Sequence, residues 1–553
     1  MGRAKPPPIL DVTQQQIQQM LDVAKERMPA ELFAVIEASI ASNEWLNAEL
    51  RRKGASLRRL RKLMGIQSSE KTRDVLPDGH KPSDEPEVPE SPVAPEQGTE
   101  PEAQLTQKPK PKPKGHGRFG VADYPTAEHI FVPHESLLPG GPCPVCPGKL
   151  HPFRNAPVLR ILGRSMLEPN VHDLGQLRCG NCLRVFTARG PDEAQGPRYD
   201  DSATAMIAIL HYQAGMPFNR LAQLQQQLQI AVPASTQWDV VNKAANVLVS
   251  VFDELLDQAA DASLLHIDDS YVRILELMGK RREVLVADSE LTNPERTGLF
   301  TTAVVSILDI GPIALFFNGR QHAGENVADV LVHRDQALPP PILMSDALNR
   351  NVPKAHTVVE ANCLSHARRG VVDEVGNYPQ ACLIVLDTLA QVYRLDAELK
   401  VRGASAEQRL HAHQRESGPI LDELHDWMDA ALKNKIIEPN SGMGQALSYF
   451  LKYWSKLTLF LRKPGAPIDN NIAERVLKLA IRYRRNSLFY RNERGAFVGD
   501  IYMTVIHTAV LHGVNPLDYL TALLRHGHDV ADAPGQWLPW NYKATLAANS
   551  QAA

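Results

Sequence analysis

The chain has 553 residues, 43% of them hydrophobic, so it carries enough apolar side chains for more than one folded core. A formal net charge of −3 excludes a uniformly basic nucleic-acid-binding protein, and a DNA partner would have to be held by local basic patches. The sequence contains neither a run of about 18 apolar residues nor a secretory leader, so we expect a cytoplasmic protein without a membrane partner. Six cysteines are too few for a disulfide scaffold in a chain of this length.

Residues 1–73 are dominated by one helical pattern, from 12 to 66, with a break near Pro29. Five positions recur every seven residues: Ile36, Asn43, Leu50, Leu57 and Met64. This heptad spacing predicts a short, imperfect coiled coil, in which Asn43 would fix the register of a homo-oligomer. An amphipathic helix packed on its own chain is the alternative.

Residues 74–118 have a different composition. Proline recurs every few positions, acids dominate as far as Glu102, and a lysine-proline alternation follows over 108–114. Such a segment has too little apolar surface to offset the entropy lost on ordering, so we predict an extended, disordered linker.

Residues 119–190 contain two C-x-x-C pairs, Cys143 with Cys146 and Cys179 with Cys182. Four thiolates at this spacing suit one tetrahedral Zn²⁺, which predicts a zinc-ribbon-like module with a structural ion. Two segments of this region look extended: 158–162 and 176–178. Free structural thiols and a redox pair remain the alternatives, and such a module can contact DNA or simply stabilise its own fold.

Residues 191–260 are predicted to be helical. One helix over 216–228, a break at 230–233 and a second helix beyond it resemble a helix-turn-helix, with Ser235 or Thr236 as the N-cap of the second helix. Such helical pairs also occur in bundles that do not bind DNA, so a DNA-reading role and a structural role both remain open.

The stretch 263–275 reads as a buried strand that is interrupted by two adjacent carboxylates, Asp268 and Asp269. A buried, unpaired carboxylate is strongly disfavoured, so these acids either lie at a sheet edge in water or bind a cation. A second apolar run, 341–348, ends near Asp346. Between them, a hairpin over 299–317 and a helix near 324–333 are expected.

Residues 355–460 are predicted to be mostly helical, and they contain Cys363 and His366 three positions apart. These two residues either support a site or represent a buried thiol beside a surface helix. A turn and N-cap signal at 467–471 then leads into a helix that carries Glu474. That helix alone is equally compatible with an ordinary exposed face bearing a Glu-to-Lys pair.

The densest basic region follows, with Tyr483, Phe489 and Tyr490 interleaved among the cations. The candidate DNA-binding residues are Arg475, Lys478, Arg482, Arg484, Arg485 and Arg491. Arginine forks match phosphate geometry and aromatic rings stack on unpaired bases, although a solvated charged face is the alternative. Residues 528–553 are expected to form a loosely ordered tail.

Five segments carry a resemblance to a known family: LLHIDDSYVRIL, ILMSDALNRN, ANCLSHARR, PIDNNIAERVLKLAIRYRRNSLF and IHTAVLHGVNPLDYL. Their order and spacing resemble those of bacterial transposases of the insertion-sequence-66 family, and the similarity extends over nearly the whole chain. The resemblance implies a DDE transposase with Asp268, Asp346 and Glu474 as catalytic acids. Asp269 and Ser270 depart from the usual His-x-Asp-Glu-Thr of the first motif.

The resemblance also implies a multidomain α+β protein with an RNase H-like α/β catalytic core at 261–527, interrupted by a helical insertion at about 355–460. Two Mg²⁺ ions held by the three acids would serve cleavage at the element ends and strand transfer into target DNA. The implied partners are DNA, a second copy of the chain and accessory proteins of the same element, with nucleoid association when DNA is bound. Two alternatives remain: a zinc-dependent DNA-binding regulator with a degenerate core, and a metal-dependent nuclease that does not join strands.

Overall fold

The computed structural model describes most of the chain from residue 137 onward. The described residues are 137–151, 165–178, 183–191, 194, 196–288, 291, 293–552 and the single positions 21, 23, 25 and 33. The predicted coiled coil and linker therefore lie outside the described residues, apart from those four positions. The chain divides into two compact units, Val88–Glu168 and the remainder.

Within the unit Val88–Glu168, the described residues form a tight loop around the first C-x-x-C pair. The Cys143 amide donates to the Gly148 carbonyl at 2.8 Å, and the Leu150 amide donates to the Gly141 carbonyl at 2.9 Å. These bonds close the backbone on both sides of the pair, as a metal-binding knuckle requires.

In the larger unit, a short antiparallel strand pair is formed by residues before and after the second C-x-x-C pair in the sequence. Strand β1 (Gln176–Arg178) pairs with β2 (Val185–Thr187). The predicted extended conformation of 176–178 is confirmed, whereas 158–162 and 179–182 lie outside the described residues.

The centre of the larger unit is a five-stranded mixed sheet in the described chain, with the order β5-β4-β3-β6-β7. Strands β3, β4 and β5 form an antiparallel meander, and β6 and β7 run parallel to β3. The strands are β3 (Leu264–Tyr271), β4 (Phe300–Leu308), β5 (Gly311–Gly319), β6 (Ile342–Ser345) and β7 (Val359–Asn362). The predicted strands and hairpin are confirmed. β4 is rich in β-branched residues and buried along most of its length, as a central strand should be.

Fifteen α-helices occur in the part of the chain from 201 to 552 that the structure describes. They are α1 (Asp201–Ala208), α2 (Phe218–Gln227), α3 (Ala234–Ala260), α4 (Gly279–Ala287), α5 (Ala323–Val332), α6 (Leu364–Val372), α7 (Pro379–Val401), α8 (Ala406–Ala412), α9 (Gly418–Lys433), α10 (Gly442–Leu457), α11 (Asn471–Ser487), α12 (Glu493–Leu511), α13 (Pro516–Arg525), α14 (Gly527–Asp532) and α15 (Tyr542–Ala552). The helix predicted near 324–333 is confirmed as α5. Among the described helices, none combines the length and apolar character needed to cross a membrane.

Helix α12 covers the edge strand β5 with hydrogen-bonding side chains. The hydroxyls of Thr504 and Thr508 accept from β5 amides at 3.0 and 3.2 Å, and Asp500 accepts from the Asn318 amide at 3.0 Å. An open strand edge is a template for unwanted pairing, and these residues satisfy it internally. Burial raises the pKa of Asp500, so this carboxyl is stabilised in its protonated form.

The predicted helix-turn-helix corresponds to α2 and α3. The second helix begins at Ala234 with Pro233 as its N-cap, so the prediction of Ser235 or Thr236 as the cap is wrong. Proline suits this position because its fixed φ matches the approach to a helix. Helix α3 is 27 residues long and packs on the sheet and on α12, so it belongs to the core. A DNA-reading role for the pair stays a prediction.

The helical insertion comprises α6 to α10, and its apolar core extends to the sheet through Ile342 and Met344. The first helix of the insertion begins at Leu364, a few residues after the expected boundary of about 355, because Val359–Asn362 first forms the outermost parallel strand. Four residues are too few to show periodicity, and the sequence signal for this strand is correspondingly weak.

The expectation of a loosely ordered tail at 528–553 is also wrong. Helices α14 and α15 occupy this segment, and Val530, Trp537, Leu538 and Tyr542 are buried. The Tyr519 hydroxyl donates to the Trp537 carbonyl at 2.8 Å, which joins the segment to α13. The described chain is thus a mixed α/β structure whose five-stranded sheet and many helices are compatible with a DDE transposase core.

Candidate active site

Two of the candidate acids lie on neighbouring parallel strands. Strand β3 pairs with β6 in a register that sets His266 opposite Met344. Asp268 comes two residues later within β3, just beyond its pairing with β6, and Asp346 comes two residues later, directly after β6. This parallel register sets Asp268 and Asp346 at the same level of the sheet.

The third acid, Glu474, lies in the first turn of α11, which packs across β3 and β4. Asn470, the residue before this helix, fixes the contact. Its side-chain amide donates to the Ile267 carbonyl at 2.7 Å, and its Oδ1 lies 3.0 Å from Nδ1 of His266. A buried amide that uses both ends in this way anchors the start of α11 to the strand that carries Asp268.

The pKa of Asp268 responds to the other two candidate acids. Burial, followed by the negative charges of Glu474 and Asp346, raises the pKa of Asp268 to about 7. Burial also raises the pKa of Asp346, whereas the nearby His366 acts in the opposite direction. Among the described residues, Asp268 has no cationic partner and Glu474 Oε1 has no hydrogen-bond donor.

The structure separates Asp268 from its neighbour Asp269. Asp269 Oδ1 accepts a 2.8 Å ion-pair hydrogen bond from Arg350, whose guanidinium also lies over the Phe300 ring. Successive residues of a strand point to opposite faces of the sheet. One oxygen of Asp269 is therefore compensated by a cation, whereas Asp268 is the acid on which the charges of Glu474 and Asp346 act, and the charge of Asp269 acts on both Asp268 and Asp346.

This donor set fits Mg²⁺. The candidate ligands are hard carboxylate oxygens from three separate elements, and Asp268 forms no ion pair with a described residue. Burying like charges together is unfavourable unless a cation compensates them, and a divalent ion does so directly.

Cys363 and His366 lie beside Glu474. Cys363 is the N-cap of α6 and is 1% exposed, and its Sγ accepts from the Asn470 amide at 3.2 Å. Nδ1 of His366 lies 3.7 Å from Oε1 of Glu474. Burial raises the pKa of the Cys363 thiol to about 11. Both residues predicted to support the site therefore adjoin the third acid.

Five of the six candidate DNA-binding cations are exposed: Arg475, Lys478, Arg482, Arg485 and Arg491. Arg484 is half-buried instead. Its guanidinium donates to the Ser270 hydroxyl at 2.7 Å and to the Tyr271 carbonyl, and it lies 4.1 Å from the centroid of the Tyr271 ring. Burial lowers the pKa of Arg484. This arginine links α11 to β3 and is largely engaged within the protein.

The interleaved aromatic residues differ from the expectation that they face DNA. Tyr483 and Tyr490 are buried and stack on each other with centroids 4.8 Å apart, so they cannot stack on bases. Phe489 remains 41% exposed, and the unanticipated Tyr271 is 58% exposed beside Arg484. Helical spacing would have indicated burial of Tyr483, which shares a face with Val476 and Leu479.

The first cysteine pair has the local geometry of a metal-binding knuckle. The Val145 amide donates to Cys143 Sγ at 3.5 Å. Hydrogen bonds from Val145 and Cys146 lower the pKa of the Cys143 thiol, which favours the thiolate that zinc requires. Cys179 and Cys182 lie outside the described residues, so the zinc site stays a prediction.

The sequence of the sheet and of the candidate acids matches a known family. The model of the transposase family IS66 matches residues 196–497, more than half of the chain. The chain belongs to the IS66 family of transposases. The match contains all three candidate acids, and the family implies nuclease and transesterase activity in general.

Three relatives of this IS66-family transposase come from Sinorhizobium fredii, and all are described as uncharacterized proteins. The protein y4hP is 27% identical over 397 residues, which is 67% of this chain and 67% of the relative. The protein y4jD is 35% identical over 189 residues, or 33% of this chain and 36% of the relative. The protein y4qI is 29% identical over 191 residues, or 34% of each chain. The chain thus spans two thirds of the first relative and about a third of the other two.

Sequence reasoning missed one residue that organises the site. The sequence pattern predicts only a turn and an N-cap at Asn470. In the structure the Asn470 side chain makes no cap hydrogen bond and instead donates to the Ile267 carbonyl of β3. A signal was available in Pro467-Ile468-Asp469-Asn470-Asn471, because two consecutive asparagines exceed what one N-cap needs.

Proposed function

We propose that this IS66-family transposase cleaves DNA at the ends of its element and joins the freed ends to target DNA, with Asp268, Asp346 and Glu474 as its catalytic acids in an RNase H-like core. One observation carries the proposal. The parallel register of β3 and β6 sets Asp268 and Asp346 at the same level of the sheet, and the helix that carries Glu474 packs on β3, although the three acids are up to 206 positions apart in sequence. The raised pKa of Asp268 supports this arrangement, because perturbed carboxylates cluster at functional sites.

The strand order supports the RNase H-like assignment. A three-stranded antiparallel meander followed by two strands parallel to β3 brings the first two acids to one sheet edge, and α11 adds the third. Asp268 lies within the paired strand β3, Asp346 directly follows β6, and Asn470 fixes the start of the helix that carries Glu474. Such preorganisation keeps the acids in place despite their mutual repulsion.

In the proposed reaction, water first attacks a phosphorus at each element end, the bond to the 3′ oxygen breaks, and a 3′-hydroxyl is released. That hydroxyl then attacks a target phosphorus in a second in-line displacement. Two Mg²⁺ ions held by Asp268, Asp346 and Glu474 would supply an activated nucleophile and neutralise the charge on the leaving oxygen. No covalent enzyme intermediate is required, so no serine, tyrosine or cysteine nucleophile is involved.

We assign the DNA contacts to the exposed cations of α11 and the loop beyond it, with Arg484 holding the adjacent strand end. The four cysteines Cys143, Cys146, Cys179 and Cys182 are proposed to bind a structural Zn²⁺. A second copy of the chain and accessory proteins of the same element are the proposed protein partners, because two DNA ends must be processed together.

The test is an assay of cleavage and joining on DNA that carries element ends, with Mg²⁺ present. We expect Asp346→Asn and Glu474→Gln to abolish both reactions while binding of the end DNA, measured by mobility shift, is retained. Asp309→Asn, in the exposed turn between β4 and β5, is the matched control and should retain activity. Cleavage that survives in Glu474→Gln would refute the catalytic assignment.

Two outcomes would replace the proposal with another function. Nicking without joined products in the unmodified protein would indicate a metal-dependent nuclease. Tight DNA binding without either reaction, at every divalent ion tried, would indicate a DNA-binding regulator.

A further inference from the structure

The N-termini of two helices meet at a cluster of mixed metal ligands. Cys363 caps α6, His366 lies in the first turn of α6, and Glu474 lies in the first turn of α11. One ligand atom from each residue lies within 4.8 Å of the other two. The donors are one sulfur, one imidazole nitrogen and one carboxylate oxygen.

Two of these atoms have no other role in the described structure. His366 Nδ1 and Glu474 Oε1 are both shielded from solvent, and neither has a hydrogen-bond partner among the described residues. Their separation of 3.7 Å is too long for a hydrogen bond. It is close to the distance of about 3.4 Å that separates two ligands bound at about 2.1 Å to one tetrahedral ion.

The sulfur accepts two backbone hydrogen bonds. Cys363 Sγ accepts the amide hydrogen of Asn470 at 3.2 Å, and the backbone amide of His366 also donates to it. Without a cation the buried group remains a thiol, but the same two N–H donors would stabilise the thiolate that forms when a metal ion binds. A cysteine that served only to fill the core would not need two such donors.

We propose that Cys363, His366 and Glu474 form a second metal site, selective for a borderline divalent ion such as Zn²⁺. A thiolate and an imidazole favour such an ion over Mg²⁺, which prefers an all-oxygen environment. Binding replaces the S–H bond of Cys363 with a metal–sulfur bond and releases that proton to solvent. Water would complete the tetrahedral coordination.

The consequence of this site rests on the proposed function. Glu474 belongs to both ligand sets, so an ion held by Cys363 and His366 draws its carboxylate away from Asp268 and Asp346. Zn²⁺ is therefore expected to inhibit the Mg²⁺-dependent reaction by occupying a neighbouring site that shares one ligand.

The binding test uses the full-length protein and Co²⁺, whose bond to sulfur produces a charge-transfer absorption band. We expect Cys363→Ser to bind one equivalent of Co²⁺ less than the unmodified protein and to lose the charge-transfer absorbance that the Cys363 sulfur contributes. The control is Cys382→Ser, because Cys382 is a buried thiol that donates to the Val371 carbonyl at 3.3 Å and lies outside the cluster. The cysteines of the predicted zinc module are common to both variants and cancel in the difference spectrum. Equal Co²⁺ stoichiometry and equal spectra for Cys363→Ser and Cys382→Ser would overturn the inference.

A second variant guards against misfolding of Cys363→Ser. His366→Gln keeps the thiol and removes the nitrogen ligand. Loss of an outer-shell partner weakens metal binding roughly 10- to 100-fold, so loss of a direct ligand in His366→Gln should weaken Co²⁺ binding at this site by at least as much. The charge-transfer absorption at saturating Co²⁺ should be retained, because the thiol is still present. Unchanged Co²⁺ affinity in a folded His366→Gln protein would contradict the assignment.

The inhibition test separates this inference from the proposed function. At saturating Mg²⁺, the Zn²⁺ concentration that halves cleavage should rise at least roughly tenfold from the unmodified protein to His366→Gln. If the unmodified protein never cleaves DNA, the proposed function fails while Co²⁺ binding still tests the site. If cleavage occurs but Cys363→Ser binds Co²⁺ as Cys382→Ser does, only the second metal site fails.

Discussion

Two aspartates in this transposase have opposite surroundings. Asp268, on β3, is half-buried and lies near other carboxylates, and burial and these charges raise its pKa to about 7. Asp396, on α7 of the insertion, is 2% exposed and is held by two cations and a histidine. Lys400 and Arg409 each lie 2.7 Å from its carboxylate oxygens, and His413 lies 3.4 Å away.

The two acids differ in the charge of their neighbours. Burial acts to raise the pKa of Asp396, but the His413 hydrogen bond and the charges of Lys400 and Arg409 hold that pKa well below its usual range. Asp396 is thus compensated by the protein itself, whereas the neighbours of Asp268 are other carboxylates. Under the proposed function, a metal ion would supply the compensation that Asp268 lacks. Burial of a carboxylate therefore has opposite consequences in the two regions, depending on the charge of the neighbouring groups.

The largest expected effect comes from removing the charge of Asp268. Asp268→Asn should abolish Mg²⁺-dependent cleavage, because the metal ligand is lost, and it should also stabilise the metal-free fold. The pKa rises from 3.8 to about 7, and each unit corresponds to about 1.4 kcal/mol, so the gain at pH 8 is at most about 4 kcal/mol. Urea unfolding in the presence of a chelator measures it.

The pH dependence of that gain follows from the sign of the shift. Because the folded pKa is raised, the contribution of Asp268 to stability is fully present below about pH 4 and is lost as pH rises through about 7. The difference between Asp268→Asn and the unmodified protein should therefore disappear below about pH 4 and grow towards pH 8. If Asp268→Asn were less stable than the unmodified protein at pH 8, the claim that the charge of Asp268 destabilises the metal-free fold would be wrong.

Asp396→Asn should show the reverse behaviour. Removing one partner of a buried ionic network leaves unpaired cations, so we expect a loss of about 3–5 kcal/mol in the free energy of unfolding. The folded pKa is depressed, so this stabilisation is present above the unfolded pKa near 4 and is lost as pH falls through the folded value. Asp387→Asn, an exposed acid on the same helix, is the control and should change stability by less than about 0.5 kcal/mol.

Asn470→Ala tests whether the position of Glu474 matters when every charged group is kept. Loss of the hydrogen bonds to Ile267 and His266 should reduce the cleavage rate by roughly 100-fold, since small displacements of a catalytic group have effects of that size. DNA binding, measured by mobility shift, should be unchanged. Asn471→Ala is the matched control, because Asn471 bonds only its neighbour Asp469 on the exposed side. Equal cleavage by both variants would remove the positioning role of Asn470.

The smallest effects are expected at the exposed cations. Arg482→Ala should weaken DNA binding and reduce the slope of log affinity against log salt by about 0.9, the value for one phosphate contact. Arg484→Ala should instead lower the free energy of unfolding, because its guanidinium bonds Ser270 and stacks on Tyr271. Salt titrations of DNA binding measure the effect of Arg482→Ala, and thermal unfolding measures the effect of Arg484→Ala. A slope unchanged in Arg482→Ala would assign this cation to a solvated face.

Much of the core could be predicted from the sequence because its strands carry strong local signals. The apolar and β-branched runs around Asp268 and Asp346 and the hairpin at Asp309-Ile310 are visible in the residues themselves. β7 was missed because four residues show no period, and the C-terminal helices were missed because their sequence is polar between its few buried aromatic residues. Trp537 becomes a core residue only through its contacts with other helices.

By itself, the sequence determined the order of elements and the family motifs, since periodicity, caps and turn residues act over a few neighbouring positions. Only the tertiary structure decided which charges meet. It paired Asp269 with Arg350, compensated Asp396 with Lys400 and Arg409, and stacked Tyr483 on Tyr490 away from solvent. The physical reason is that burial and electrostatic interaction depend on distance in space, and the separation of two residues along the chain does not give that distance.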